Sequence, residues 1–166
     1  MFGYTVVSGD NDTDGVSVTA NTLSASGATI NDAAGNVSTL TQAAVAASTS
    51  HKVDTTVPTV SIAASSTSLR SGQTSTLTFT LSEAATDFVV GDITVSGGTL
   101  SSFAGSGSSY TVVFTPTANT QSGTGSISVA SGAFSDAAGN SNSASSTTSI
   151  TYDTQVPSVS SITASR

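Results

Sequence analysis

Three aspartates on alternate residues, followed by a glycine, carry the strongest chemical signal in the sequence. Asp10, Asp12 and Asp14 precede Gly15 in the pattern Asp-x-Asp-x-Asp-Gly. This pattern opens many calcium-binding loops, because alternate residues direct carboxylate oxygens to one centre. The twelfth loop position is Asn21 rather than the bidentate glutamate of an EF-hand. The pattern predicts a calcium loop of another type, and the alternative interpretation is an acidic hairpin turn.

Catalysis by a histidine-containing triad would have to use His51, which is the only histidine. It lies three residues before Asp54, and no Gly-x-Ser-x-Gly elbow precedes a predicted helix. Paired carboxylates also serve glycoside hydrolysis, but the acids here cluster in turns near a domain boundary, which suits metal binding better. We therefore expect His51 to be an exposed strand residue and the protein not to be an enzyme.

Composition narrows the remaining classes of function. The 166 residues carry ten acids and three bases, with a net charge of −7, and more than a third of them are Ser or Thr. Because the bases are scattered, nucleic acids and anionic membrane surfaces are poor partners, whereas cations are favoured. No apolar run approaches the roughly 20 residues that a membrane helix needs. We expect no nucleic-acid binding and no membrane insertion.

An internal repeat organises the chain. Asp32-Ala-Ala-Gly-Asn36 recurs 104 residues later as Asp136-Ala-Ala-Gly-Asn140. Asp54-Thr-Thr-Val-Pro58 recurs 99 residues later as Asp153-Thr-Gln-Val-Pro157. A period of about one small domain is typical of tandem arrays, which usually span, display or bind.

Short alternating segments separated by turns predict the fold of the repeat. Leu77, Phe79 and Leu81 alternate with threonines, which gives one apolar face and one hydroxyl face. Seven such strands, lettered A to G, are expected at Val60 to Ile62, Leu77 to Leu81, Phe88 to Val95, Leu100 to Phe103, Tyr110 to Phe114, Ile127 to Val129 and Ile150 to Tyr152. Seven strands in about 100 residues without helices predict an all-β fold, an immunoglobulin-like β-sandwich.

The same pattern divides the chain into domains. We expect residues 55–153 to form one complete sandwich and residues 154–166 to form a linker and the first strand of a following one. Residues 1–54 are expected to supply the last strands of a preceding sandwich, with strand E at Tyr4 to Val7, strand F at Val16 to Val18 and strand G near Ala44 to Val53. Three strands do not bury two faces alone. Residues 1–54 are therefore expected to be completed by another chain, and a strand-exchanged homo-oligomer is a hypothesis. We also expect the chain to be a fragment of a longer one.

Sandwich topology predicts where the acids meet. The B–C and F–G loops of a seven-strand sandwich lie at the end where the linker enters, and the E–F loop lies at the other end. At the first junction, seven carboxylates are therefore expected to converge on a metal ion, namely Asp10, Asp12, Asp14, Asp54, Glu83, Asp87 and Asp136. Crowded carboxylates repel one another unless a cation lies among them. Ca²⁺ is the expected ion, because no cysteine offers a soft ligand.

Several of these acids also have a purely structural interpretation. Asp54 and Asp153 suit a turn before the linker, while Asp32 and Asp136 suit capped tight turns in which a glycine takes positive φ. The two alternatives stay open for each of them. The E–F loop at the second junction, residues 119–125, carries no acid, so we expect a weak or empty cation site there.

Four motifs together resemble a known family. They are Leu81-Ser-Glu83-Ala, Phe88-Val-Val-Gly-Asp92-Ile-Thr-Val, Ser135-Asp-Ala-Ala-Gly-Asn140 and Val53-Asp-Thr-Thr-Val-Pro58. The sequence is similar in these motifs to the bacterial immunoglobulin-like tandem repeats of large secreted adhesins of the RTX or biofilm type. The resemblance implies a secreted or cell-surface extender module whose partners are neighbouring repeats, with Ca²⁺ at the junctions stiffening the array. The alternative is a carbohydrate- or surface-binding module, since hydroxyl-rich faces present a flat Thr/Ser array.

Overall fold

A computed structural model of the chain describes residues 5–21, 24 and 26–163. Within it the chain divides into a first unit, Met1–Thr56, and a second unit, Val57–Arg166. The regular secondary structure described in both units consists of strands, and the one helical element among the described residues is a three-residue 3-10 turn, Val90–Asp92. None of the described residues belongs to a helix that is both long and apolar enough to span a membrane.

The described residues of the first unit form four short strands in two antiparallel pairs. These strands are β1 (Asn11–Asp12), β2 (Val16–Val18), β3 (Val45–Ser48) and β4 (Val53–Asp54). Strand β1 pairs with β4, and β2 pairs with β3. Strand β2 coincides with the segment predicted as strand F, and β3 and β4 fall in the segment predicted as strand G. Residues 5–7 of the predicted strand E are not in a strand, and Tyr4 lies outside the described residues.

The second unit is a sandwich of two four-stranded sheets. In sequence order its strands are β5 (Val60–Ala64), β6 (Ser68–Arg70), β7 (Ser75–Leu81), β8 (Ile93–Ser96), β9 (Gly98–Ser106), β10 (Ser109–Pro116), β11 (Gly123–Val129) and β12 (Thr148–Asp153). One sheet has the order β5-β7-β10-β9 and the other β6-β12-β11-β8. The predicted all-β, immunoglobulin-like fold is confirmed, because this arrangement places strands A, B, E and D in one sheet and C, F and G in the other.

Two elements of the second unit differ from the sequence prediction. Strand C is predicted to begin near Phe88, but β8 begins at Ile93, because Val90–Asp92 forms a 3-10 turn. The carboxylate of Asp92 accepts the N–H of Val89 at 2.8 Å and holds that turn. Strand β6 is not predicted at all. It holds a single apolar residue, Leu69, and it is ordered by parallel pairing with β12 rather than by its own sequence pattern.

An aromatic cluster closes the core at the end of the sandwich where the chain enters. The ring of Phe88 packs against those of Phe79, Phe103, Tyr110 and Phe134, with centroids 5.0 to 5.9 Å away. Tilted and edge-to-face packing of this kind stabilises beyond the area buried. Because Phe88 lies in the B–C loop between β7 and β8 and Phe134 lies in the F–G loop between β11 and β12, the cluster attaches both loops to the body of the domain.

Main-chain hydrogen bonds bring the same two loops to the entering chain. Thr59 accepts the N–H of Ser82 at 3.0 Å and donates its own N–H to the Ser82 hydroxyl at 2.9 Å. The carbonyl of Pro58, a fully buried residue, accepts the N–H of Ser143 in the F–G loop at 2.9 Å. The B–C and F–G loops therefore lie together at the linker end of the second unit, as the topology predicts.

Candidate cation site

Asp136 organises the F–G loop through its own carboxylate. Its Oδ1 accepts the N–H groups of Ala138 and Asn140 at 2.8 and 2.9 Å, and its Oδ2 accepts the side-chain amide of Asn140 at 2.8 Å. Gly139 takes a φ of 90°, which favours glycine at this turn. Only 4% of the Asp136 surface is exposed. The capped-turn interpretation of this residue therefore holds, and its carboxylate is both buried and fixed in direction.

The buried carboxylate of Asp136 is ionised at neutral pH. Burial raises its pKa, but the hydrogen bonds from Asn140, Ala138 and Gly139 together outweigh burial and hold the pKa below the usual value of 3.8. A carboxylate that stays charged in a buried position is stabilised by donors or by a cation. The loop supplies two donors to Oδ1 and one to Oδ2, so Oδ2 is the oxygen with more accepting capacity left.

Glu83 brings a second carboxylate to Asp136. One oxygen of Glu83 and one of Asp136 lie within 4.8 Å of each other. Glu83 is half-buried, and its Oε1 atom is shielded from solvent. It follows β7 by two residues, directly after Ser82, which is hydrogen-bonded to Thr59. Two carboxylates at this separation, one of them buried and ionised, form an electronegative point that suits a hard cation with oxygen ligands.

Asp87 lies in the same loop as Glu83 but is engaged differently. Its Oδ1 accepts the N–H of Ser135 at 2.8 Å and its Oδ2 accepts the Ser135 hydroxyl at 3.0 Å. Among the described residues, the carboxylate of Asp87 does not belong to the group of acids around Glu83 and Asp136 that could bind one ion together. In the second unit the structure thus brings together two of the three sequence-predicted ligands and gives the third a contact with the neighbouring loop.

The acidic loop of the first unit contains the contacts of a hairpin turn. Asp10 accepts the N–H of Val7 at 2.8 Å, and Asp12 accepts the N–H of Gly15 at 2.7 Å. Asp14 is exposed. Within the described part of the first unit, these aspartates do not form a group of three acids that share a point within reach of one ion. The contacts match the alternative interpretation of this loop, and its predicted role in calcium binding stays a prediction.

The linker aspartate Asp54 lies beside that loop in the first unit. The β1–β4 pairing sets Asn11 opposite Asp54, and the carboxylate of Asp54 accepts the N–H of Thr56 at 3.0 Å. Thr55 then ties the loop to the linker, because its hydroxyl donates to the Asp10 carbonyl at 3.0 Å. Asp54 thus forms the turn predicted before the linker, with its side chain exposed.

Asn142 is a structural residue of the site that sequence reasoning missed. Its side-chain oxygen accepts the N–H groups of Ala133 and Phe134 at 2.8 and 3.0 Å, and its amide donates to the carbonyls of Ala130 and Ser143 at 2.8 and 2.7 Å. The side chain is buried, with 2% exposure, and braces both ends of the F–G loop. The one available signal was a difference between the repeats, since Ser38 occupies the equivalent position in the first copy.

His51 occupies an exposed turn rather than the predicted strand end. Its Nδ1 lies 2.9 Å from the Ser48 hydroxyl, and its N–H donates to the Ser48 carbonyl at 2.9 Å. Among the described residues, no recorded hydrogen bond joins His51 to a carboxylate that would orient it as a general base. The contact is that of a four-residue β-turn, Ser48 to His51.

A polar groove lies at the opposite end of the second unit, on strands β6, β12 and β11. It encloses about 660 Å³ and includes Arg70, Gln73, Gln121 and Asp153. In register across β6 and β12, Ser68 lies opposite Thr151, so this groove carries hydroxyl groups beside its charged and amide side chains. A surface of this kind is what the alternative carbohydrate-binding interpretation would use, and that interpretation stays a prediction.

One family model matches the chain, that of the bacterial Ig-like domain, over residues 54–154. The match covers more than half of the sequence and corresponds closely to the second unit. Neither the curated proteins nor the solved structures include a match to the chain. Bacterial Ig-like domains are usually extracellular or surface-associated modules and are typically non-enzymatic.

Proposed function

Because the chain belongs to the bacterial Ig-like domain family, we propose that it is a structural extender module of a secreted, biofilm-type surface adhesin. Its work is mechanical, namely to hold a distal adhesive domain away from the cell. Its partners are the neighbouring repeats, and Ca²⁺ at the domain junction limits the motion of one repeat against the next. Surface association is the ordinary setting of the family, whereas the extender role and the calcium are specific to this proposal.

One observation carries the calcium part of the proposal, the approach of Glu83 to Asp136. Their carboxylate oxygens lie within 4.8 Å of each other, and Asp136 is 4% exposed with a lowered pKa. Like charges this close repel unless a cation neutralises them. Ca²⁺ suits the pair, because it takes six to eight oxygen ligands in flexible geometry and accepts main-chain carbonyls and water beside carboxylates.

Asp54 is proposed as a further ligand because of the chain's connectivity. Pro58 is fully buried at the end of the second unit where the B–C and F–G loops lie. Asp54 precedes it by four residues, so its backbone lies within about 14 Å of Pro58 even if the chain is fully extended. The acidic loop of Asp10, Asp12 and Asp14 is tied to Asp54 by the β1–β4 pairing, and we propose it as an additional source of carboxylates.

Thermal unfolding of the whole chain tests the proposal. With Ca²⁺ in about 100-fold excess over its dissociation constant, binding to the folded state alone adds about 2.7 kcal/mol. For a domain of this size that raises the Tm by roughly 10 to 20 °C relative to the same protein in chelator. We expect Glu83→Gln and Asp136→Asn to abolish the difference between calcium and chelator, and Asp54→Ala to reduce it.

Asp153→Ala is the matched control, because Asp153 occupies the same linker motif beside an E–F loop without acids. We expect this variant to retain the full calcium effect. If calcium leaves the Tm of the parent protein unchanged, the acids are turn residues and the calcium proposal is wrong. If Asp153→Ala removes the effect while Asp54→Ala does not, the ion lies at the other end of the second unit.

A further inference from the structure

We propose that Asp87 is a positioning residue of the cation site and not one of its ligands. By holding Ser135, it fixes the F–G loop to the B–C loop and thereby sets the separation between Asp136 and Glu83. The inference rests on the proposed function in so far as it concerns a bound cation, but the bridge between the loops exists without one.

Both oxygens of Asp87 are already used by a single residue of the other loop. Ser135 donates its N–H to Oδ1 at 2.8 Å and its hydroxyl to Oδ2 at 3.0 Å. The Ser135 carbonyl in turn accepts the N–H of Thr86 at 3.1 Å. The N–H, the carbonyl and the hydroxyl of Ser135 are therefore all held by two consecutive residues of the B–C loop. Asp136 is the next residue in the chain, so its position follows directly from this bridge.

The Asp-Ala-Ala-Gly-Asn loop occurs twice, and the two copies show that its conformation and its position in the domain have different causes. In the first copy, the carboxylate of Asp32 accepts the N–H groups of Ala34 and Asn36 at 3.0 and 2.9 Å and the Asn36 amide at 2.7 Å. These bonds repeat those of Asp136 almost unchanged, yet Asp32 is exposed. The loop therefore acquires its shape locally. Contacts outside the repeated motif must therefore bring Asp136 close to Glu83. The hydrogen bonds between Asp87 and Ser135 are such contacts.

The bridge has an apolar counterpart beneath it. Phe88 follows Asp87 and Phe134 precedes Ser135, and their rings pack with centroids 5.1 Å apart. The two loops are thus joined at two adjacent points, one polar and exposed and one apolar and buried. Because the aromatic contact is independent of the polar one, a variant that loses the Asp87–Ser135 hydrogen bonds is expected to fold.

The test combines Ca²⁺ titration calorimetry with amide hydrogen exchange in calcium-free buffer, on the full chain. The variants are Asp87→Asn and Ser135→Ala, and Asp92→Asn is the matched control, because it removes one nearby carboxylate that caps a different turn. We expect Asp87→Asn to weaken calcium binding by about tenfold, as removal of a residue that orients a ligand does, with unchanged stoichiometry. Ser135→Ala, which removes no carboxylate, is expected to weaken binding in the same direction.

Without calcium, amide hydrogen exchange in residues 133–142 is expected to be faster in Asp87→Asn and Ser135→Ala than in the parent protein. In Asp92→Asn it is expected to stay unchanged. If Asp87 is instead a ligand, Asp87→Asn weakens binding while Ser135→Ala leaves both affinity and exchange unchanged, which overturns the inference. If the parent protein binds no calcium, the proposed function fails, but the exchange measurement still decides the bridge. Unaltered exchange in both variants would then refute it as well.

Discussion

The side chain of Asp136 both holds the F–G loop together and places a negative charge in it. Its carboxylate accepts three hydrogen bonds from its own loop, and the same loop in the first unit makes the same bonds around Asp32. The difference is burial, since Asp32 is exposed and Asp136 is 4% exposed. A buried carboxylate that is kept ionised is costly without partners, so the hydrogen-bond donors of its own loop are essential to that loop.

Acid titration tests the charge on Asp136. Its pKa in the folded state lies below the usual value of 3.8, so the ionised form stabilises the fold above that pH. This contribution is lost as the pH falls through the folded-state pKa. We expect the calcium-free free energy of unfolding to decline below about pH 4, and to decline less in Asp136→Asn. The measurement is urea unfolding followed by circular dichroism between pH 7 and pH 3.

Asp32→Asn is the control for that titration, since it removes the same loop acid at an exposed position. The side-chain amide of Asn36 is the main cause of the lowered pKa of Asp32, but solvent screening limits its effect on stability. We expect Asp32→Asn to alter the acid-induced decline in the free energy of unfolding less than Asp136→Asn does. Identical acid limbs for the parent and Asp136→Asn would contradict the assignment of an ionised, stabilising carboxylate.

At the scale of elements, strands β10 and β11 approach closely where a side chain is missing. A Cβ on the buried Gly125 of β11 would overlap the ring of Phe114 on β10. The glycine therefore leaves room for a large core ring between the two sheets. A strand glycine usually weakens pairing, and it is retained where another group comes this close.

Gly125→Ala is expected to destabilise the second unit by about 1 to 3 kcal/mol, because overpacking forces the Phe114 ring or the strand to shift. Gly91→Ala is the matched control, since its nearest neighbour to an added Cβ is 4.0 Å away and its φ is not positive. We expect that control to change stability by less than about 0.5 kcal/mol. Denaturant unfolding measures both, and equal stability of Gly125→Ala and parent would refute the packing argument.

At the scale of the whole molecule, both units carry exposed apolar side chains that a sandwich would normally bury. Val16 and Val45 of the first unit are 51% and 56% exposed, and Val159 and Ile162 near the carboxyl end are 80% and 91% exposed. Segment 156–162 resembles the start of the complete domain, where β5 pairs with β7. Pairing such a segment with the edge of another chain would bury its apolar side chains and satisfy its main-chain hydrogen bonds. This gain is the physical basis of the strand-exchange hypothesis.

Light scattering of the full chain tests that hypothesis. If copies exchange their carboxyl-terminal strand, we expect a concentration-dependent mass of two chains or more, because exposed valines of one copy are covered by another. Val159→Lys with Ile162→Lys is expected to return the protein to a monomer, since a charged edge does not enter an apolar face. A parent protein that stays monomeric at every concentration would contradict the hypothesis.

Much of this molecule can be predicted from sequence because its determinants are local. Alternation in Leu77 to Leu81 specifies a strand with one buried face, which β7 confirms. The Asp-Ala-Ala-Gly-Asn loop closes on its own aspartate in both copies. Strand β6 and the turn at Val90–Asp92 were missed, because pairing with β12 and a single capping carboxylate decide them.

The sequence by itself determined the all-β sandwich, the repeat and the end of the domain where the acid-bearing loops gather, because periodicity and strand order settle them. Only the tertiary structure decided which acids of the second unit meet. Asp87 contacts Ser135 across 48 residues of chain, next to the packing of Phe88 against Phe134, and no spacing of charges along the sequence indicates this contact. Long-range packing therefore decides which groups a loop carboxylate contacts, because it brings together residues that are far apart in the sequence and leaves no local pattern.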